Sequence, residues 1–490
     1  MTCTYSLLSN RAVLSFERGT LPPIPRRAIF HNAMFDYVLL VKRNPEWLTK
    51  CEPDDTMIMA NVLGFEDLSL KGLSNQLFGV KVFDYTNRHE CGKETYNAQD
   101  VFLTRQLYEH FLPQLDGSAY DIDRSIIRIL TYGSLFSGYE IDHKKLEEVI
   151  AAAEAEVTVV EKIFDHEYPG VNMSSPEQLL QIFPTQDTTK ETLLALDTPE
   201  AHLVLRRRQL GKELSTYLRP NQYRGTMSGL YRLTLAAGDH GDEEGGTTTG
   251  RLSSHDPNMQ NIKPSLQQCL RAPQKHELLM ADYDQIELRC IAEITQDKRM
   301  IKELREGKDF HAETAKLLGQ PRSVGKTWNF ARWYGAEAPT LSQRTGLPVE
   351  VCLELMRIQD TAYPGQREWG EHHWAQVQAT GFSISPAPFR HRRRIHLFNP
   401  RAAKRQALNH PAQSMAGYIT KAAMAEIGFE PDELEFVNQI HDELHYIIQK
   451  GDKRKRDRVK EAMLEVGNKY LPTVKAAVSI NTSRYWNKEA

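Results

Sequence analysis

The stretch LLMADYDQIELRCI, residues 278–291, decides how the rest of the chain is read. Leu278, Leu279, Met280 and Ala281 form a short apolar run with the length and composition of a buried strand. The run ends in Asp282. After Gln285 the pattern turns helical, with Ile286, Leu288 and Ile291 set among charged residues. An acid after a strand commonly forms a turn or caps a helix. Held between two rigid elements, it also suits a metal site, and only its companions can decide between the two.

A second stretch, LEFVNQIHDELHYII at 434–448, has the same logic. Apolar residues flank His441, Asp442 and Glu443, so it reads as a strand hairpin with two acids at its tip, where an ordinary hairpin carries turn formers such as Asn-Gly. Carboxylates brought together from the two stretches would offer hard oxygen ligands. Such ligands favour Mg²⁺ or Mn²⁺, and two ions ~3.5–4 Å apart clamp the entering and leaving oxygens of a phosphoryl transfer. The third stretch, PRSVGKTWNFARWYG at 321–335, repeats Arg322, Lys326, Phe330 and Tyr334 at intervals of four. Each step of four advances about 400° on a helix, so these side chains share one slowly winding face. Pro321 fits the first turn and Gly335 the stop. Two cations followed by two aromatics read either as an amphipathic helix with snorkelling cations or as a phosphate grip beside a platform for a flat base.

Taken together, these motifs resemble motifs A, B and C of the DNA polymerase I family (family A). Asp-Tyr-x-Gln-Ile-Glu-Leu-Arg stands at 282–289, Arg-x-x-x-Lys-x-x-Asn-Phe-x-x-x-Tyr-Gly at 322–335, and His-Asp-Glu-Leu at 441–444. TTTGRLSSHDPNMQNI at 247–262 and RQALNHPAQSMAG at 405–417 are a fourth and a fifth match, in family order. The resemblance implies an α+β, multidomain, right-hand polymerase of palm, fingers and thumb behind a ribonuclease-H-like exonuclease remnant. The implied boundaries are 1–118 for the exonuclease-like part, 119–235 for the thumb, and 236–490 for palm and fingers, with the fingers near 296–390. The implied partners are primer-template DNA and deoxynucleoside triphosphates.

The same resemblance assigns roles. Asp282 and Asp442 would hold two Mg²⁺ (or Mn²⁺), with Tyr283 contributing to the metal site and Glu443 supporting it. Arg322 and Lys326 would cradle the triphosphate, and Lys326 would protonate the leaving group. Glu287 matches the steric gate under the sugar. Gln285 and His441 would border the nucleotide, and Tyr334 would stack by the template base. Phe330 stands where other members carry Tyr, which implies discrimination against dideoxynucleotides. Arg251 would lie near the primer terminus. Asn409 and Gln413, with Arg405 at the same spacing, would sense the duplex minor groove, whose acceptors every correct base pair presents alike. Asp284 and Ala331 depart from the family's Ser and Gly, and the second stiffens the helix by ~1 kcal/mol.

Composition fits this picture. At 490 residues the chain is too long for one core, and several domains are expected. Net charge is −3, so affinity for DNA must come from local basic patches. No apolar run reaches the ~20 residues of a membrane span. The start lacks a secretory signal, and six scattered cysteines lack any C-x-x-C pair, so a reducing cytoplasm is expected.

Toward the N-terminus, residues 4–8 and 11–16 read as a hairpin. A strand then runs into His31-Asn32, and a helix from Ala33 carries Asp36. Residues 94–111 read as an amphipathic helix with Tyr96 and Asp100 one turn apart. Each pair alone suits a cap or a surface contact; together they resemble the second and third exonuclease motifs. The first motif, Asp-x-Glu, is missing upstream of His31. Two carboxylates where four are wanted imply little or no proofreading, unless a separate polypeptide completes the domain. Residues 119–235 read as long charged helices. Segment 238–246 is an acidic Gly-rich loop, and 389–394 (FRHRRR) is a backbone-binding patch. The compact chain, with no 5′-nuclease segment, implies by analogy a phage replicative enzyme. A single-subunit RNA polymerase would not be expected to carry Glu287 in this context, a stand-alone nuclease would need the missing acids, and a non-catalytic DNA binder would have lost palm or fingers residues.

Overall fold

The computed structural model describes residues 6–9, 12–15, 23–80, 92–234, 247–430 and 433–486, with the backbone alone for 6–9, 12–15, Lys93 and Phe330. The acidic loop expected at 238–246 lies outside the described residues.

The fold is built on a four-stranded antiparallel sheet, in the order Glu435–Ile440, Glu443–Gln449, His276–Tyr283, Val478–Ser483. The apolar run at 278–281 is the third strand of that order, buried on both faces, and its four side chains are at most 1 % exposed. Each large one contributes about 1.5–3 kcal/mol by leaving water. Period-two alternation divides the strand between two cores. Leu279, Ala281 and Tyr283 pack with Leu444, Tyr446 and the helices Pro400–Ile427 and Lys453–Tyr470. Leu278 and Met280 face Tyr139, Leu266, Ile447 and Trp486 on the other side. Asp282 has the parity of Leu278 and Met280, so it belongs to the second face.

Helices enter where the sequence supplies caps. Asp142, Ser175, Thr198, Asp297, Asp309 and Asn399 each accept a first-turn backbone N–H with their side chains. From His143–Glu167 to Pro199–Lys212, with a π-helical turn at Glu213–Leu218, helices enclose a separate small core of Val160, Phe164, Leu179, Leu193 and Val204. The helix Ala119–Leu135 lies within the span assigned to the thumb by sequence, yet it packs in the main core. Its Asp123 forms a buried ion pair with Lys421 and accepts the Tyr418 hydroxyl at 3.0 Å. Removing either charge would strand the other, at about 3–5 kcal/mol. A second helical layer, from Ile286–Thr295 through Pro364–Thr380, has its own apolar clusters.

The N-terminal part has an antiparallel hairpin, Ser6–Ser9 with Ala12–Ser15. A parallel pair, Arg27–Phe30 with Glu52–Asp55, flanks the helix Ala33–Arg43. Asp55 is buried and joins the pair. It caps the next helix through Met57 N at 2.8 Å and accepts Ala33 N at 2.6 Å. No described helix is long and apolar enough to cross a membrane.

Candidate active site

The antiparallel register brings the acids of the two key stretches together. Asp282 lies opposite Glu443 on one side and Ser479 on the other. Tyr283 N donates to Asp442 O at 3.3 Å, so Asp442 sits one step further along the same end of the sheet. The hairpin turn is only His441-Asp442, because Ile440 already pairs with Glu443. His441 takes the left-handed position (φ 57°) that such a turn needs and glycine or asparagine usually fills. Glu443 is therefore the first residue of the returning strand, only 5 % exposed, with its carboxylate 3.3 Å from His445 Nε2. The tip exposes His441 and leaves Asp442 and Asp282 half-buried. The Tyr283 ring turns to the opposite face, where its hydroxyl donates to Met463 O at 2.6 Å. Only its backbone carbonyl is left to serve a metal. Among the described residues no group of three or more His, Cys, Asp or Glu converges. The carboxylates of Asp282 and Asp442 are hard oxygen donors, which fit a divalent cation such as Mg²⁺.

The helix predicted at 321–335 is present as Arg322–Trp333, stopped by Gly335 in the left-handed region (φ 76°). It rests on its buried face through Trp328 Nε1, which donates to Gln359 at 2.7 Å, and through Asn329, which donates to Thr314 at 3.0 Å. The opposite face carries the cations. Lys326 is exposed, and Arg322 pairs with Asp309 at 2.6 Å. The Phe330 side chain lies outside the described residues.

The helix meets the sheet through Glu287. The Tyr334 hydroxyl donates to one carboxylate oxygen of Glu287, and Arg251 ion-pairs with the other. Gln413 hydrogen-bonds the same Tyr334, whose burial raises its pKa. Burial lowers the pKa of Arg251, with Tyr334 and Asp442 opposing that effect. Four separately predicted residues, Arg251, Glu287, Tyr334 and Gln413, are thereby one connected cluster beside Asp442. Arg322 and Lys326 do not join it; at 1.5 Å per residue, Lys326 lies roughly 12 Å along the helix from Tyr334. Gln285 is the left-handed N-cap of the helix Ile286–Thr295, and its buried Oε1 has no hydrogen-bond partner. Arg405 is exposed on the helix Pro400–Ile427, and the buried Oδ1 of Asn409 is likewise unpartnered. Asp284, the departure in motif A, accepts the Ser479 hydroxyl at 2.6 Å.

Two basic patches are partly spent inside the protein. Arg206 pairs with Glu156 at 2.6 Å and Arg207 with Glu161 at 2.5 Å. In 389–394, Phe389 and His391 are buried, and Arg390 and Arg392 face Asp116 at 3.6 and 3.4 Å.

In the N-terminal part, Asp36 lies on the helix Ala33–Arg43, its pKa pushed up to about 6 by burial and by Asp55. Tyr96 and Asp100 lie on the helix Lys93–Phe111. Between the last two stands a residue that sequence reasoning missed. The Lys71 ammonium ion-pairs with Asp100 and sits 4.6 Å from the centroid of the Tyr96 ring. A lysine on a short amphipathic helix (Leu70–Phe78) carries no local signal of such a role.

The sequence model of DNA polymerase family A matches residues 143–488. The thermostable DNA polymerase I of Thermus thermophilus is 27 % identical over 458 residues, covering 83 % of this chain and 52 % of that protein. The Thermus aquaticus enzyme of the same name is 27 % identical over 492 residues, 88 % of this chain and 55 % of that protein. The chain thus spans about half the length of these curated relatives. Among solved structures, the POL domain of Pol1 from M. smegmatis, in complex with DNA primer-template and dNTP, superposes with a TM-score of 0.77 at 20 % identity. That match covers 93 % of this chain and 85 % of the other.

Proposed function

The chain belongs to DNA polymerase family A, and from that membership we propose that it is a template-directed DNA polymerase, adding deoxynucleotides to a primer 3′-hydroxyl. The observation that carries this reading is the single cluster at the end of the sheet. Asp282 and Asp442 stand at the same end of the sheet there, with the Asp442 carbonyl bonded by the residue after Asp282, near the Arg251–Glu287–Tyr334 junction. The M. smegmatis neighbour's complex with primer-template and dNTP supports the same partners for this chain.

Family A polymerases use divalent ions, generally Mg²⁺, and Asp282 and Asp442, with the Tyr283 carbonyl, would hold them. When bound, the ions would lower the pKa of the attacking hydroxyl and neutralise triphosphate charge. The chain's own groups do the rest. Arg322 would bind β- and γ-phosphate oxygens, where charge accumulates as pyrophosphate leaves. Its exposed pair with Asp309 is worth under about 1 kcal/mol, so the guanidinium can change partners. Lys326, on the same face, would give its proton to the leaving pyrophosphate. Glu287, held by Arg251 and Tyr334, would exclude a 2′-hydroxyl beneath the sugar. Tyr334 would stack by the template base, with Gln285 and His441 bordering the nucleotide. Arg405, Asn409 and Gln413 would read the minor groove of the nascent pair.

The palm would be the four-stranded sheet, the fingers the second helical layer, and the thumb the helices around the Val160–Phe164 core. The N-terminal part would be an exonuclease-like remnant of little activity, open to completion by a separate polypeptide. The relatives matched are bacterial and give the phage expectation no support. Primer extension with separate dNTP, rNTP and mismatched-primer arms tests the proposal: extension is expected with dNTPs only. Absence of extension in every arm would sink it, and equal use of rNTPs would favour an RNA polymerase.

A further inference from the structure

The turn that carries Asp442 contains a residue in an unfavourable conformation, and two glutamines brace it. His441 is in the left-handed region (φ 57°), which side chains other than glycine enter at a cost. Gln439, two residues earlier in the strand and 3 % exposed, folds its side chain forward so that Nε2 donates to the His441 carbonyl. Its Oε1 accepts from Gln260 Nε2 at 3.2 Å. The same Gln260 amide also reaches the Gln439 carbonyl at 3.2 Å and the Leu252 carbonyl at 3.3 Å. Leu252 follows Arg251, so one side chain ties the Arg251 segment to the strand that delivers Asp442.

These contacts fix the orientation of both amides. Gln260 presents N–H groups to three oxygens. Gln439 must therefore turn its oxygen to Gln260 and its nitrogen to His441. A leucine or methionine would fill the space at 439 without the cost of burying an amide. The amide is explained if its hydrogen bond is needed where the backbone turns.

We propose that Gln439 is a positioning residue for nucleotide addition, held in place by Gln260. It fixes the His441 carbonyl, and with it the direction of the Asp442 carboxylate and the distance of the turn from Arg251. The proposal rests on the reading of Asp442 as a metal ligand.

The test uses the full chain with primer-template DNA ending in a dideoxynucleotide, so that Mn²⁺ binding is read by electron paramagnetic resonance without chemistry. Loss of a partner that orients a ligand typically weakens metal affinity or activity by about 10–100-fold. Gln439→Met is expected to weaken Mn²⁺ binding and lower kcat by about that range, while KM for dNTP and Kd for DNA move by less than about twofold. Gln260→Met should show the same pattern more mildly. The double variant should lose less than the product of the two single losses, because the side chains share the bond between them. Mn²⁺ affinity and kcat within about twofold of the unmodified chain in both single variants, with Asp442→Ala inactive, overturn the positioning role alone. Undiminished extension by Asp442→Ala overturns the metal assignment, and this proposal with it. If Gln439→Met does not fold, Gln260→Met decides by the same criteria.

Discussion

Asp282 stands directly across the antiparallel ladder from Glu443, and that pairing brings Asp442 within one residue of it at the sheet's end. Neither aspartate is in the interior of the apolar cores, so replacing one costs the fold little. The expected outcome for Asp282→Ala or Asp442→Ala is loss of primer extension by several orders of magnitude, with DNA binding within a few-fold of normal. Gel-shift and single-turnover assays on the same preparations check this. Near-normal extension in either variant would refute the metal assignment. Glu443→Gln should be milder, since Glu443 is buried beside His445 and its proposed role is one of support.

Glu287, on the helix Ile286–Thr295, is where the Arg251 segment and the end of the helix Arg322–Trp333 meet. Two roles therefore separate on substitution. On the proposed gate role, Glu287→Ala would remove bulk beneath the sugar and is expected to raise rNTP use relative to dNTP. It also frees Arg251 and Tyr334, so catalytic efficiency with dNTP should fall as well. Tyr334→Phe keeps the ring and removes the hydroxyl with its bonds to Glu287 and Gln413. It should relax sugar discrimination in the same direction but less, by at most about 1.5–3 kcal/mol, roughly 10- to 100-fold, as for a hydrogen bond to a charged group. Competitive incorporation of matched dNTP and rNTP gives the ratio directly. If Tyr334→Phe leaves that ratio unchanged, the bond does not hold the gate.

The sheet strand, the acid-tipped hairpin and the cation-bearing helix were legible because each leaves a local trace. These are an apolar run of strand length, an abrupt polar triplet between β-formers, and a four-residue period closed by Pro321 and Gly335. The N-terminal strand-to-helix step at His31-Asn32 was legible for the same reason. What could not be read is set by pairing between distant residues. Glu443 looked like half of a turn, but the register makes it a buried strand residue. Helix Ala119–Leu135 looked like its charged successors, yet Asp123 is answered by Lys421 nearly three hundred positions away. Among those charged helices, Arg206 and Arg207 face acids on a neighbouring helix. Periodicity says which face is apolar, not which partner will neutralise a charge.

A buried histidine chain gives the fold a defined response to acid. Ser383 Oγ donates to Ala407 O at 3.2 Å, so it accepts from His373 Nε2 and His410 Nδ1, both at 3.0 Å. His410 Nε2 must then accept from His391 Nδ1 at 3.0 Å, and His391 Nε2 from the Asn61 amide at 3.4 Å. Every ring is neutral, and a proton on His410 would set two N–H groups against each other. Burial first, with Lys421 and Arg393 adding to it, pulls His391 down to about 3; burial also pulls His373 down to about 4 and His410 well below its usual value. His31 is likewise lowered to about 4. These folded values lie below the unfolded one, so stability is complete above about pH 6.5 and falls as pH drops toward 4. Each histidine contributes a slope of about 1.4 kcal/mol per pH unit in that window. Asp36 and Asp55, raised to about 6, act in the opposite sense and offset part of it. Denaturant midpoints at pH 8, 6 and 5 should drop steeply below 6.5, and His391→Asn should flatten the slope. A midpoint independent of pH down to 5 would show the rings to be protonated or exposed.

The N-terminal acids give the last expectation. The proposed exonuclease role needs carboxylates free to gather divalent ions, and it rests on two positions, Asp36 and Asp100. One of them is already neutralised, because the Lys71 ammonium pairs with Asp100 and rests against Tyr96. A metal ion entering there must displace an internal cation. With a 3′-mismatched primer and Mg²⁺, the purified chain should therefore excise nothing measurable while still extending matched primers. Lys71→Ala would clear the way for a cation but supply no missing acid, so excision should remain absent. Brisk excision by the unmodified chain would mean that the site is complete in a way the two motifs do not reveal. Excision appearing only in Lys71→Ala would instead make the lysine a lock on a competent nuclease.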